Sequence, residues 1–142
     1  MKTISLWQPW AQFVALGWKT IETRTHTRFN SLVGQRIAIQ AAQKWDKLAG
    51  AAGDYVATPA RYMKCLEIGG EYPKYSCSIV ATAYVQEFRL LTPEDAPAAM
   101  IECHTKRYGL ILCDVEKIFI PNIKGMQGIF NTPDELFPTR AE

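Results

Sequence analysis

The chain has 142 residues, of which 48% are hydrophobic and 21% charged, the size and composition of one folded domain with one core. Its net charge of +2 excludes a strong overall attraction to polyanions, so any affinity for nucleic acid has to come from a local cluster of cations. No apolar run approaches the roughly 20 residues that span a bilayer, and the N-terminus lacks the long apolar segment of a secretory signal, so we expect one cytoplasmic domain over residues 1–142 with no membrane contact.

The first elements along the chain are a strand, a short helix and a second strand. The letters ISLW have strand character, and Pro9 suits the first turn of a helix. Trp10, Phe13 and Val14 follow helical spacing, which predicts a helix from Pro9 to Leu16 that Gly17 ends. A strand from Thr20 to Thr27 comes next, and a turn follows at residues 30–34.

The middle of the chain is predicted to contain two strands separated by a long excursion. The letters RIAIQAA read as a strand, and residues 42–52 read as a helix with Trp45 and Leu48 as its apolar contacts. Residues 53–76 hold glycines, prolines and three tyrosines, which is typical of a surface excursion. The segment SIVATAYVQEFRLL then predicts a strong strand.

The last third begins with a capped helix and ends in strands. Thr92, Pro93 and Asp95 form a capping-box pattern, which predicts a helix that runs to about His104. YGLILCDVEKIFI is the longest strand signal, and the bend NIKGMQG and the short strand GIF follow it. Strands outweigh helices, so we predict an α+β, mainly β fold: a small closed or nearly closed β-barrel of five to six strands with helices at its ends.

The cysteines do not suggest a metal site. Cys65, Cys77, Cys103 and Cys113 show no CxxC spacing, and only two histidines could join them. We expect reduced, buried thiols, no metal and no cofactor.

The stretch GWKTIETR gathers a lysine, a glutamate and an arginine directly after the first helix. Side chains alternate along a strand, so Thr20, Glu22 and Arg24 share a face, whereas Lys19 has the wrong parity. Lys19 joins them if it lies in the junction before the strand, because its stem is long enough to reach back. The stretch is then either a solvated hairpin edge, with ion pairs worth about 0–1 kcal/mol, or a binding site.

Each of the three charged groups suits a defined chemistry. Arg24 offers a planar fork for a phosphate or carboxylate, and Glu22 can accept hydrogen bonds from the amino edge of a base. Lys19 is a candidate base or nucleophile if a second cation lowers its pKa, but a neighbouring carboxylate raises the pKa of a lysine.

The segment SLWQPWAQFVALGWKTIETR resembles the start of an ASCH domain, a branch of the PUA-like superfamily. The family signature G-x-K-x-x-E-x-R is present as Gly17, Lys19, Glu22 and Arg24, and GQRIAIQAA, SIVATAYV and YGLILCDVEKIFIPNIKGMQGIF resemble its later strands. The resemblance implies a PUA-like β-barrel with a cleft lined by the signature residues. It also implies binding of RNA or nucleotides, and hydrolase or ribonuclease activity in some members. Protein partners are suggested by relatives within transcription coactivators.

Two functions follow from the resemblance and stay open. The first is a binding module for a nucleotide, a modified nucleoside or single-stranded RNA. Its expected ligand-binding residues are Trp7, Gln8, Trp18, Lys19, Thr20, Glu22, Arg24, Lys124 and Gln127. The second is a small hydrolase of acylated nucleosides such as N4-acetylcytidine, or of RNA, with Lys19, Glu22 and Arg24 as catalytic residues. The family's amidohydrolases carry threonine where this chain has Glu22, which changes the roles that the site residues can take.

Overall fold

The computed structural model describes residues 1–45, 75–101 and 104–139. Its strands are β1 (Lys2–Gln8), β2 (Ile21–Arg24), β3 (Arg36–Trp45), β4 (Ser78–Leu90), β5 (Tyr108–Ile120) and β6 (Phe130–Asn131). Its α-helices are α1 (Trp10–Ala15) and α2 (Ala96–Ala99), and single 3-10 turns cover Arg28–Leu32, Pro93–Asp95 and Asp134–Leu136. The fold is therefore mainly β, as predicted.

The six strands form one sheet in the order β2-β5-β4-β3-β1-β6. Strands β1 and β3 run parallel, and the other neighbours are antiparallel. Within the described part of the chain, the sheet ends at β2 on one side and β6 on the other, so the predicted closure into a barrel is not confirmed. β2 has four residues and β6 has two. Among the described strands, β2 pairs with β5 alone and β6 with β1 alone.

Alternation along β1 decides which side chains reach the site. Ile4 and Leu6 are buried in the core, where α1 packs with Val14. Burying an aliphatic side chain of this size contributes about 1.5–3 kcal/mol, which fixes the register of the strand. Ser5 and Trp7 consequently project from the opposite face of β1.

The signature stretch is positioned by the end of α1 and by pairing with β5. Gly17 adopts a positive φ of 80°, and its N–H donates to the Val14 carbonyl at 3.0 Å, so the helix ends as predicted. Strand β2 then pairs antiparallel with β5, with Glu22 opposite Leu110. Both observations place the charged residues on an end strand of the sheet.

The segment before α2 carries the predicted capping box. The Asp95 carboxylate accepts from the Thr92 N–H at 2.8 Å and from Arg89 at 2.6 and 2.8 Å. The helix is shorter than predicted, because Met100 takes a left-handed conformation (φ 56°) that ends it. The predicted continuation to about His104 is wrong at Met100, Ile101 and His104, which are not helical, and residues 102–103 lie outside the described residues.

Two further predictions are corrected. Residues 42–45 continue strand β3, so the predicted helix does not begin there; the pairing of Trp45 with Gln8 of β1 overrides the helical preference of alanine. The remainder of that prediction and the excursion up to residue 74 lie outside the described residues. Strand β2 ends at Arg24 rather than Thr27, because a 3-10 turn begins at Arg28.

The described cysteines are free thiols. Cys77 and Cys113 are half-buried rather than buried, and Cys65 and Cys103 lie outside the described ranges. In the described ranges, no cluster of three or more His, Cys, Asp or Glu side chains could hold a metal ion. No helix there is long and apolar enough to cross a bilayer.

Candidate functional site

Two adjoining clefts open beside the signature residues. The larger has a volume of about 860 Å³, within the range of small-molecule sites. The smaller has a volume of about 280 Å³ and is lined by Ser5, Leu6, Trp7, Trp10, Glu22 and Arg24. Ser5, Trp7 and Arg24 line both clefts, so one ligand can occupy both, with Arg24 at the boundary.

Glu22 and Arg24 face the clefts together, as strand alternation predicts. Arg24 Nη1 donates to Glu22 Oε1 and also to the Thr23 carbonyl at 2.9 Å. Glu22 is only 6% exposed, yet its second oxygen, Oε2, has no hydrogen-bond partner. A buried acceptor without a partner is costly, so this oxygen is suited to receive a donor from a ligand.

Lys19 lies behind this pair rather than in either cleft. Its Nζ donates to the Ala99 carbonyl oxygen of α2 and lies 5.4 Å from the centroid of the Trp10 ring. The residue is 4% exposed, since it sits in the junction between α1 and β2. Lys19 lies before β2 begins, so the strand alternation does not set the direction of its side chain. Its amine points to α2.

The pKa of Lys19 is lowered from the ordinary lysine value. Burial is the largest cause, because it penalises the charged amine; Glu22 opposes it, and Arg24 and Arg107 reinforce it. Glu22 does raise the pKa of Lys19, as expected from the sequence, but the lowering by burial is larger. Lys19 therefore gives up its proton more easily than an exposed lysine.

The floor of the larger cleft is built from paired residues of β1 and β3. Ser5 and Gln40 are partners in the parallel register, and Gln40 Nε2 donates to the Ile123 carbonyl at 2.8 Å. Ser5 Oγ and Gln40 Oε1 are both buried without a hydrogen-bond partner. The floor therefore contains an acceptor and a hydroxyl whose hydrogen-bonding capacity is unmet.

Aromatic rings and a histidine form part of the wall of the larger cleft. Trp7 is 46% exposed, and the Lys44 amine lies 4.0 Å from its ring centroid. Phe29 is buried beneath the Arg24 guanidinium at 4.8 Å. His26 packs edge-on against Phe29 at 5.3 Å. Burial, then Arg28 and Arg24, lowers the pKa of His26, which favours the neutral ring.

The charges on the larger cleft are of one sign. Arg24, Arg28 and Lys124 line it, and its described lining residues include no aspartate or glutamate. With so small a net charge, any affinity for nucleic acid needs a local cluster of cations, and this cleft carries one. Such a cluster favours a phosphate or another anion.

Some predicted ligand residues lie at the clefts and others do not. Trp7, Glu22, Arg24, Lys124 and Gln127 line them. Three others, like Lys19, lie outside the described linings of both clefts: Gln8, Trp18 and Thr20.

The residues outside the clefts have structural contacts. Gln8 is fully buried, and its Oε1 accepts from the Gln12 N–H at 3.1 Å. Trp18 packs on Phe13 with ring centroids 5.2 Å apart. The Thr20 N–H donates to the Ala98 carbonyl at 3.0 Å. The contacts of Trp18 and Thr20 tie the stretch GWKTIETR to α1 and α2, and the contact of Gln8 ties β1 to α1.

Sequence reasoning missed several cleft residues. Ser5 and Gln40 give no motif signal, because only the parallel pairing of β1 with β3 brings them together. Arg28 and Phe29 come four and five residues after Arg24. This closeness in sequence is the one signal that could have identified them.

Solved structures of ASCH proteins share this fold. The crystal structure of ASCH from Zymomonas mobilis matches with a TM-score of 0.56 and 16% identity, over 95% of this chain and 89% of that chain. A point mutant of that protein gives the same values, and another gives a TM-score of 0.53 with 91% of its chain covered. No family model matches the chain, and no curated protein matches it significantly. The fold is therefore that of an ASCH protein, as the sequence resemblance implied.

Proposed function

We propose that the chain is an ASCH-family, PUA-like domain that binds a nucleotide or single-stranded RNA in the larger cleft. Family membership is supported by the complete signature Gly17, Lys19, Glu22 and Arg24 together with the shared fold. The observation that carries the binding proposal is the cleft of about 860 Å³ whose described charged lining residues, Arg24, Arg28 and Lys124, are all cations.

The shape of the cleft supports a nucleotide over a simple anion. Three cations meet phosphate oxygens, and the half-exposed ring of Trp7 offers a face on which a base stacks, a contact worth roughly 1–3 kcal/mol. Gln40 Oε1 and Ser5 Oγ on the floor can engage ribose hydroxyl groups. A ligand with an anion, a flat ring and hydroxyl groups uses all three features.

The test compares two exposed lysines. Binding of 5′-mononucleotides and a short single-stranded RNA is measured by calorimetry for the wild type, for Lys124→Ala on the cleft and for Lys117→Ala on β5, outside the described cleft linings. We expect Lys124→Ala to weaken binding and Lys117→Ala to leave it unchanged. Equal affinity of all three proteins, or no binding by the wild type, contradicts the proposal.

A hydrolase of acylated nucleosides is the second candidate, and the lowered pKa of Lys19 beside Glu22 favours it. In this arrangement Glu22 accepts a proton from water, which attacks the acyl carbon, and Lys19 influences the charge of the site from behind. Hydrolysis of N4-acetylcytidine would consume one water and release cytidine and acetate. Of the proposed catalytic residues, Glu22 and Arg24 line the smaller cleft.

Mass spectrometry separates the two candidates. The purified protein is incubated with N4-acetylcytidine, other acylated nucleosides and a short RNA, in parallel with Lys19→Ala and Glu22→Ala. Turnover by the wild type that both variants lose establishes a hydrolase. Binding without any product leaves the first proposal in place and contradicts the second.

A further inference from the structure

We infer that the smaller cleft receives one nucleobase and reads its exocyclic amino group through Glu22. This inference rests on the proposed nucleotide binding and deepens it, because it names the class of base and the residue that selects it. The cleft volume of about 280 Å³ lies just below the range of drug-sized sites. That is a size suited to a single heterocycle, with the rest of the nucleotide in the larger cleft.

The walls of the smaller cleft suit an aromatic ring. Trp7, Trp10 and Leu6 supply apolar surface, and Trp10 is held by an edge-on contact with Phe13 at 5.7 Å. Planar rings stack on such surfaces whatever their substituents. The apolar walls therefore favour a base without selecting which one.

Selection comes from the carboxylate. Glu22 Oε1 is engaged by Arg24, whereas Oε2 is buried and unpartnered, and the residue belongs to the lining of the cleft. A carboxylate oxygen accepts hydrogen bonds and donates none. A base that presents an amino group to Oε2 satisfies it, and a base without one leaves a buried charged acceptor unpaired, which is penalised.

The neighbours of Glu22 make the reading directional. Arg24 presents a guanidinium at the boundary of the two clefts, so a donor lies beside the acceptor. Amino-substituted bases place a ring nitrogen acceptor next to the amino donor, as cytosine and adenine do. We expect a remaining N–H of Arg24 to donate to that ring nitrogen while Glu22 Oε2 accepts from the amino group.

The experiment uses two pairs of 5′-monophosphates that differ only in the amino group. AMP is compared with purine riboside 5′-monophosphate, and CMP with zebularine 5′-monophosphate, by calorimetry on the wild-type protein. We expect the amino-bearing member to bind at least about fivefold more tightly in at least one pair, as a hydrogen bond to a charged acceptor requires. Ratios below fivefold in both pairs overturn the inference.

Matched variants assign the effect to Glu22. Glu22→Ala is expected to bring the ratio below about twofold, and Glu87→Ala, on the exposed part of β4 outside the described cleft linings, is expected to keep it. A ratio that survives in a folded Glu22→Ala protein overturns the assignment. The wild-type comparison holds even if that variant fails to fold. If none of the four nucleotides binds the wild type, the proposed function itself fails; if all bind with equal affinity, only this inference fails.

Discussion

Gly125 of the bend that follows β5 packs directly on Gln40 of β3. A Cβ atom at position 125 would lie 2.7 Å from Gln40 Oε1 and 2.8 Å from Ser5 Oγ, closer than real Cβ contacts. Only glycine lets this backbone approach the cleft floor so closely. The position of the bend and the positions of Ser5 Oγ and Gln40 Oε1 therefore depend on each other.

Gly125→Ala is expected to disturb this arrangement. The new methyl group pushes the Gln40 side chain away from the Ile123 carbonyl, which costs about 1–3 kcal/mol of overpacking. It also closes the floor to a ligand, so we expect nucleotide affinity to fall at least about tenfold. Urea unfolding and calorimetric titration measure the two effects.

Gly34→Ala is the control for this substitution. Gly34 has a positive φ of 84° and no neighbour within 4 Å of a new Cβ, so alanine there costs about 1–2 kcal/mol of backbone strain without touching the cleft. Loss of stability with unchanged affinity is expected. Comparable affinities for the two variants would show that the cleft floor does not contact the ligand.

Trp7→Ala is expected to weaken binding while the protein stays folded. Trp7 is 46% exposed, so its removal should lower the free energy of unfolding by about 1–2 kcal/mol. Loss of a stacked base costs roughly 1–3 kcal/mol, or about 5- to 150-fold in the dissociation constant. Phe119→Ala, 44% exposed on β5 and outside the described cleft linings, should bind as the wild type does.

The lowered pKa of Lys19 predicts a pH dependence of stability. Between the folded pKa and the ordinary value of 10.5, the unfolded chain binds more protons than the folded one, so stability rises with pH across that window. The cost of burying the charged amine is complete below the folded pKa and absent above 10.5.

Chemical unfolding from pH 7 to 10.5 tests this with Lys19→Met. The stability of the wild type relative to Lys19→Met should improve as the pH rises, because the variant has no buried amine to deprotonate. Lys117→Met, at an exposed position, gives the baseline for lysine titration. A constant difference between wild type and Lys19→Met over the whole range would contradict a lowered pKa.

Asp95 predicts a dependence of the same sign in the acid range. Its pKa is held far below the ordinary value of 3.8, mainly by Arg89 and then by the Thr92 N–H. The stabilisation is present above about pH 3.8 and is lost as the pH falls toward the folded pKa. Asp95→Asn should cost about 1 kcal/mol at pH 7, as a lost cap does, and less at pH 2. Glu135→Gln, exposed in the last 3-10 turn, is the control.

Much of the fold could be predicted from local pattern. The bounds of β5 match the run YGLILCDVEKIFI, because its apolar and β-branched residues signal a strand by themselves. The common face of Glu22 and Arg24 follows from strand alternation and needs no tertiary information. The end of α1 at Gly17 follows from the preference of glycine for positive φ.

What failed depended on contacts distant in sequence. Residues 42–45 read as helix, but the pairing of Trp45 with Gln8 of β1 keeps this end of β3 extended. The direction of the Lys19 pKa shift depends on burial against α2, some 80 positions further along the chain. Trp18 adjoins the signature and was expected in the cleft, but the turn at Gly17 directs it to Phe13. Whether it contacts a ligand stays a prediction.

The hydrogen bond from Lys19 to the Ala99 carbonyl has an evolutionary consequence. The acceptor belongs to the main chain, so a substitution at position 99 that leaves the backbone in place cannot delete it. The sequence of α2 can therefore change during evolution while the Lys19 amine keeps this hydrogen bond. A search for residues that covary with Lys19 would therefore miss this hydrogen bond. The bond depends on the path of the backbone and not on the side chain at position 99.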